Sequence, residues 1–125
     1  MHKKIRFGLA LTWTCAVVVL SLISFSQAPK AIVDFASYDK VAHFVFYLVF
    51  VFLWGSYIFY KEQIQTQKLF FLFFVALIFA GVIEVCQELF TERRTADRYD
   101  MLANFVGALS GMATLYFYKK YKKKL

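Results

Sequence analysis

Four long apolar stretches, separated by short polar ones, divide the chain. They run from about Ile5 to Phe25, Val41 to Tyr60, Leu69 to Leu89 and Met101 to Tyr118. A helix needs roughly 20 apolar residues to cross a hydrocarbon core about 30 Å thick. Each stretch approaches that length, and none has the period-2 alternation of a half-buried strand. Helices also satisfy their own backbone hydrogen bonds, which lipid cannot do. The pattern therefore predicts an all-α integral membrane protein of four helices. The connections 27–40, 61–68 and 90–100 are short, so consecutive helices should be antiparallel neighbours in one bundle. A single membrane domain over residues 1–125 is expected, with no room for a separate soluble domain. The first stretch has a basic start, like a signal peptide, but exceeds the roughly 7–15 apolar residues of such a segment, so it is expected to persist as a helix.

Composition agrees. The 125 residues are 61% hydrophobic, 21% aromatic and 18% charged. A soluble domain is about 45–50% apolar and about 25% charged, and one this small could not bury the excess. The composition equally excludes a disordered chain and a disulfide scaffold.

The formal charge of +7 takes its meaning from topology. Lys and Arg near membrane ends favour the cytoplasmic side. Lys3, Lys4, Arg6, Lys61, Lys68 and the tail lysines 119, 120, 122, 123 and 124 fall on one side of a four-helix arrangement, 10 of the 15 basic residues. Both termini are therefore expected in the cytoplasm. The Lys-rich tail would attract anionic lipid head groups. Nucleic-acid binding is not expected, because no folded domain presents this charge. Trp54, Tyr57, Tyr60, Tyr116, Tyr118 and Tyr121 are predicted to form an interfacial belt at that end. The acids are distributed oppositely. Only Glu62 lies on the cytoplasmic side, whereas Asp34, Asp39, Glu84, Glu88, Glu92, Asp97 and Asp100 lie at or near the outer end.

There the polar residues recur at helical spacing. Asp39, His43 and Tyr47 follow steps of four in the second helix. Glu84, Gln87 and Glu88 share a face late in the third. Asp100, Asn104, Gly107 and Gly111 descend the fourth. Residues three or four apart are neighbours on a helix surface, so three helices offer polar faces at one membrane level. Glu84 lies 15 positions after Leu69, about 22 Å along a helix, within the outer hydrocarbon. An acid at that depth normally faces the bundle interior and has partners. His43, Lys40, Arg93, Arg94 and Asn104 are its candidates. Two roles follow: an interhelical clamp, or a ligand or catalytic site. Asp39 could orient the His43 imidazole. Gly107-x-x-x-Gly111 has the small-residue spacing of a close helix contact. No compact metal motif, nucleotide-binding glycine motif or Ser/His/Asp triad is present, so neither a metal nor a cofactor is expected. Cys15 and Cys86 lack C-x-x-C spacing and are expected to behave as small hydrophobes.

These residues also resemble a known family. Asp39-Lys40-x-x-His43-Phe44-x-x-Tyr47 is similar to the first signature of the VanZ-like family of small bacterial membrane proteins. Glu84-x-x-Gln87, followed by Arg94-Thr95-x-x-x-x-Asp100-x-x-x-Asn104-x-x-Gly107-x-x-x-Gly111, resembles the second. Arg94, rather than Arg93, takes the family position by its spacing to Asp100. The resemblance implies a bacterial envelope protein and a link to resistance against teicoplanin, a glycopeptide carrying an acyl chain. On that basis the outer site would bind a lipid-linked or amphiphilic envelope molecule. Lys40 and Arg94 would contact an anionic head group. Asp39, His43, Tyr47, Glu84, Gln87, Asp100 and Asn104 would complete the site. The alternative is a membrane-embedded enzyme in which His43, Asp39 and Glu84 perform acid–base chemistry on such a lipid, although no nucleophile is evident. Transport is disfavoured because the inner half of the sequence pattern offers no matching acids or bases.

Overall fold

A computed structural model describes residues 2–27, 36–90 and 98–124. They form four helices: α1 (Lys3–Gln27), α2 (Ala36–Ile58), α3 (Thr66–Phe90) and α4 (Arg98–Lys124). All four are long and apolar enough to cross a membrane. Every helix starts earlier than its apolar stretch, and α4 runs six residues past Tyr118. Hydropathy marks where side chains are apolar, whereas the hydrogen-bonded backbone of α4 continues past Tyr118 into the lysine-rich segment. Helix α2 instead stops two residues short of Tyr60. Lys61 turns left-handed (φ 58°), the Tyr60 amide bonds back to Tyr57 O, and the Glu62 amide to Phe59 O. The Lys119 ammonium donates to the carbonyls of Phe59 and Glu62, so α4 supplies the cation that caps this turn.

The side-chain distribution is the reverse of a water-soluble protein's. Phe71 and Ile78 of α3 are 72% and 67% exposed, and large apolar side chains are exposed on the other three helices as well. Contiguous surface of this kind is suited to lipid rather than water. Conversely, Arg6, Ser21, His43, Ser56, Glu84, Gln87, Asp100 and Asn104 are buried. The exposed set includes Cys15, which faces outward rather than packing inside, while Cys86 is half-buried.

Helices α2 and α4 share the most extensive interface. Its contacts progress in step along both helices: His43 meets Asn104, Phe44 meets Gly107, Leu48 meets Gly111, and Phe59 meets Lys119. A methyl group added to Gly107 would strike the Phe44 carbonyl oxygen and lie 3.0 Å from Phe44 Cα. One on Gly111 would lie 2.6 Å from Leu48 O and 2.9 Å from Val51 Cβ. The main chain of α2 thus occupies the space that the two missing side chains leave. Helix α3 adds Leu72, Phe73, Ala76 and Ala80 to a core with Tyr47, Phe50, Val51 and Ala108. Phe50 stacks on Phe79 with ring centroids 5.2 Å apart.

Helix α1 is joined to α2 by two indoles. Trp13 Nε1 donates to Phe46 O at 2.9 Å, and Trp54 Nε1 donates to Thr14 Oγ1 at 2.9 Å. Trp54 is therefore an interhelical joint, with Phe7 and Tyr57 edge-on to it. Tyr116 and Tyr121 remain exposed. The carbonyl of Phe46 already serves the α2 backbone, so the Trp13 bond is an added interhelical link. Replacing Trp13 by Phe should lower unfolding stability in mixed micelles by about 1 kcal/mol, the typical net value of one hydrogen bond. An unchanged denaturation midpoint would show that the indole contributes only its ring.

Candidate functional site

At one end of the helices, buried polar groups from α2, α3 and α4 converge. His43 lies one turn into the spanning part of α2, and Asp100 and Asn104 lie one helical turn apart at the start of α4. The acid in the first turn of α4 suits the positive end of the helix dipole. His43 Nδ1 is 3.0 Å from Asn104 Oδ1, and His43 Nε2 is 3.7 Å from Asp100 Oδ2. All three residues are nearly inaccessible.

The imidazole thus has an oxygen against each nitrogen. A ring with one N–H can donate to only one of them, whereas a ring carrying hydrogen on both nitrogens serves both. Turning the Asn104 amide presents Nδ2 instead, which allows a neutral ring to accept. Asn104 Nδ2 currently points towards Met101 Sδ at 3.7 Å, a weak acceptor easily given up. The arrangement can therefore hold the ring in either protonation state with little movement. The carboxylate placed beside His43 by tertiary structure is that of Asp100. Sequence spacing suggested Asp39, which belongs to α2 but whose side chain lies outside the described residues.

Glu84 and Gln87 are buried on α3, while Glu88 is exposed. The one-residue step from Gln87 to Glu88 rotates a helix by about 100°, enough to carry Glu88 off the inward face that the i, i+4 spacing suggested for it. Glu84 is within electrostatic reach of Tyr47. Tyr47 is buried, and its ring packs on Phe50 and Phe79. Gln87 Nε2 donates to Ser21 O at 2.7 Å. Helix α1 therefore enters the cluster through a backbone carbonyl, a participation no side-chain pattern could announce. Lys40 lies at the rim with its ammonium 5.6 Å from the centre of the Tyr99 ring. Arg94 lies outside the described residues, as do Arg93, Asp34, Glu92 and Asp97. Among the described residues, no group of three or more His, Cys, Asp or Glu side chains could hold a metal ion.

The family model for VanZ/LLP1 matches residues 6–119. The chain belongs to the VanZ/LLP1 family. It is thus a VanZ-family membrane protein, and the match covers all four helices, including α1, which the two quoted signatures do not reach. The chain finds no match among curated proteins or among solved structures.

The opposite end holds a residue whose placement the sequence concealed. Arg6 was counted with the basic flank, but its side chain is buried among the helices. Its Nη1 donates to Ser56 O at 3.3 Å and its guanidinium lies over the Tyr60 ring at 5.1 Å. This end of the molecule is therefore not devoid of buried charge. An apolar layer including Phe50, Val51, Phe73 and Ala76 lies between Arg6 and the His43 cluster.

Proposed function

We propose that this VanZ-family protein binds a lipid-linked or amphiphilic envelope molecule at the outer leaflet of the bacterial cytoplasmic membrane. In this reading the four helices form one antiparallel bundle with both termini cytoplasmic. The lysine-rich end then faces anionic inner-leaflet lipid, and the His43 cluster faces outward. The observation that carries the reading is the buried His43–Asp100–Asn104 set, with Glu84 and Gln87 also buried on α3 and Glu84 within electrostatic reach of Tyr47. Burying so many ionisable and amide groups at membrane depth is costly, and such groups usually serve function. Lys40 and Arg94 would hold an anionic head group, since both cations pair with phosphate or carboxylate. The cluster below would receive amide or sugar hydroxyl groups. The acyl chain of teicoplanin suits a site that spans head-group and hydrocarbon regions.

The test is a set of single variants: Asp39→Asn, His43→Ala, Glu84→Gln and Arg94→Lys. For Asp39→Asn, Glu84→Gln and Arg94→Lys, membrane abundance within about twofold of wild type, together with a changed teicoplanin susceptibility, is the expected result, while the phenotype of His43→Ala, which loses the Asp100 and Asn104 contacts, is read per molecule in the membrane. If each variant is instead lost from the membrane, the cluster is an interhelical clamp and the binding reading fails.

An enzyme acting on a lipid-linked envelope precursor is a second reading. It draws on the two oxygens flanking His43, an arrangement suited to taking up and returning a proton. Glu84 would be the second carboxylate, and water the nucleophile. Chemical conversion of purified precursor by wild-type protein, abolished in His43→Ala, would select this reading over binding alone.

A further inference from the structure

At the end that carries both chain termini, a cavity of about 810 Å³ opens between the α2–α3 turn, the last turns of α4 and Arg6 of α1. Five cations line it: Arg6, Lys61, Lys119, Lys120 and Lys122, against one acid, Glu62. Lys119 is within electrostatic reach of both Arg6 and Lys122. Tyr118 sits against Arg6 and Lys122.

We propose that this cavity is an anion site for a phosphate group, held as the head group of an acidic phospholipid or as free phosphate. Three observations carry it. First, like charges crowd a concave surface, where their mutual repulsion is relieved by a bound anion. Second, Arg6 is 4% exposed, and its Nε is buried without a hydrogen-bond partner among the described residues. A guanidinium offers five N–H donors in a rigid plane; Ser56 O takes one from Nη1 and the Tyr118 side chain takes another. A phosphate oxygen can accept from the donors that remain. Third, the wall is amphipathic: Ile64, Tyr60 and Tyr116 provide apolar surface beside the cations. That combination suits a phosphodiester whose acyl chains continue along the helix faces, as in basic pockets between membrane helices. The site is separate from the His43 cluster and does not depend on which side of the membrane it faces.

The experiment uses the full chain purified in neutral detergent. One arm offers an equal mixture of phosphatidylglycerol and phosphatidylcholine, with bound lipid counted by native mass spectrometry. The other titrates inorganic phosphate by calorimetry. The double variant Lys120→Gln/Lys122→Gln changes two exposed side chains and should fold normally. Arg6→Lys retains charge while removing the planar fork. Lys68→Gln removes an exposed charge outside the cavity. Wild-type protein should bind the anionic probe, with affinity falling about fivefold per removed cavity lysine, and falling again in Arg6→Lys, while Lys68→Gln leaves it unchanged. This pattern with phosphatidylglycerol identifies a lipid head group. The same pattern with inorganic phosphate alone identifies a soluble ligand. Absence of binding in both arms overturns the proposal. So does an equal loss in Lys68→Gln, which would mean diffuse surface charge rather than a site. Should Arg6→Lys fail to fold, the double variant and Lys68→Gln still decide the outcome.

Discussion

Gly107→Ala is expected to destabilise the packed helices by about 2 kcal/mol, within the usual cost of overpacking a tight interface. The added methyl would collide with the carbonyl oxygen of Phe44 and lie 3.0 Å from its Cα. These are backbone atoms of a hydrogen-bonded helix, so no rotamer change can clear the space. Relief requires α2 and α4 to separate along their most extensive interface, which also stretches the His43–Asn104 contact one turn away. Gly111→Ala should behave similarly, because Leu48 O is 2.6 Å from the new atom. Gly81→Ala supplies the contrast: nothing stands within 4 Å of its added methyl, and alanine favours the helix by up to about 1 kcal/mol over glycine. Reversible unfolding in mixed micelles, followed by tryptophan fluorescence, measures all three. Equal midpoints for Gly107→Ala and Gly81→Ala would refute the close approach of α2 to α4.

The small-residue spacing of Gly107 and Gly111 was visible in the sequence, but its partner was not. GxxxG identifies a face that permits close approach and carries no information about which backbone approaches. The apolar runs revealed the four helices because lipid demands long apolar stretches. Their ends were less visible, since the backbone of α4 continues through residues whose polarity suits the interface. Steps of three and four correctly grouped Glu84 with Gln87 but also admitted Glu88. The three span about 100° of the helix, and the buried face ends between Glu84 and Glu88. The approach of Asp100 to His43 is a tertiary matter. Asp39 is four residues away and was legible, whereas Asp100 is brought near by the packing of α2 on α4. Arg6 was hidden for another reason. A cation near the start of a membrane helix looks like a flanking residue, and only the juxtaposition of Ser56, Tyr60 and Tyr118 draws it inside. The role of α1 at the cluster passes through Ser21 O, and every residue type carries a carbonyl. These failures share a cause: local spacing specifies which residues share a surface, while partners are fixed by how those surfaces meet.

Asp100→Leu is expected to cost about 3 kcal/mol, in the range found when one member of a buried polar pair is removed. The carboxylate lies 3.7 Å from His43 Nε2 and is 1% exposed. Its removal leaves an imidazole nitrogen facing a leucine where water cannot reach. His43→Leu alone should be comparably damaging, because it removes the imidazole from beside the Asp100 carboxylate and from Asn104 Oδ1. The double variant His43→Leu/Asp100→Leu should lose less than the two single losses combined, by about 1–3 kcal/mol, as coupled neighbours do. The reason is that it replaces both partners by apolar groups suited to the surrounding helices. Unfolding of the four proteins in mixed micelles closes the cycle, and strict additivity would show that histidine and aspartate do not interact. The same four proteins separate stability from function. An interhelical clamp predicts that any cellular phenotype recovers as the double variant regains stability. A site that binds through these polar groups predicts recovered membrane abundance with the phenotype still absent, because leucine can fill the space but cannot donate or accept a hydrogen bond.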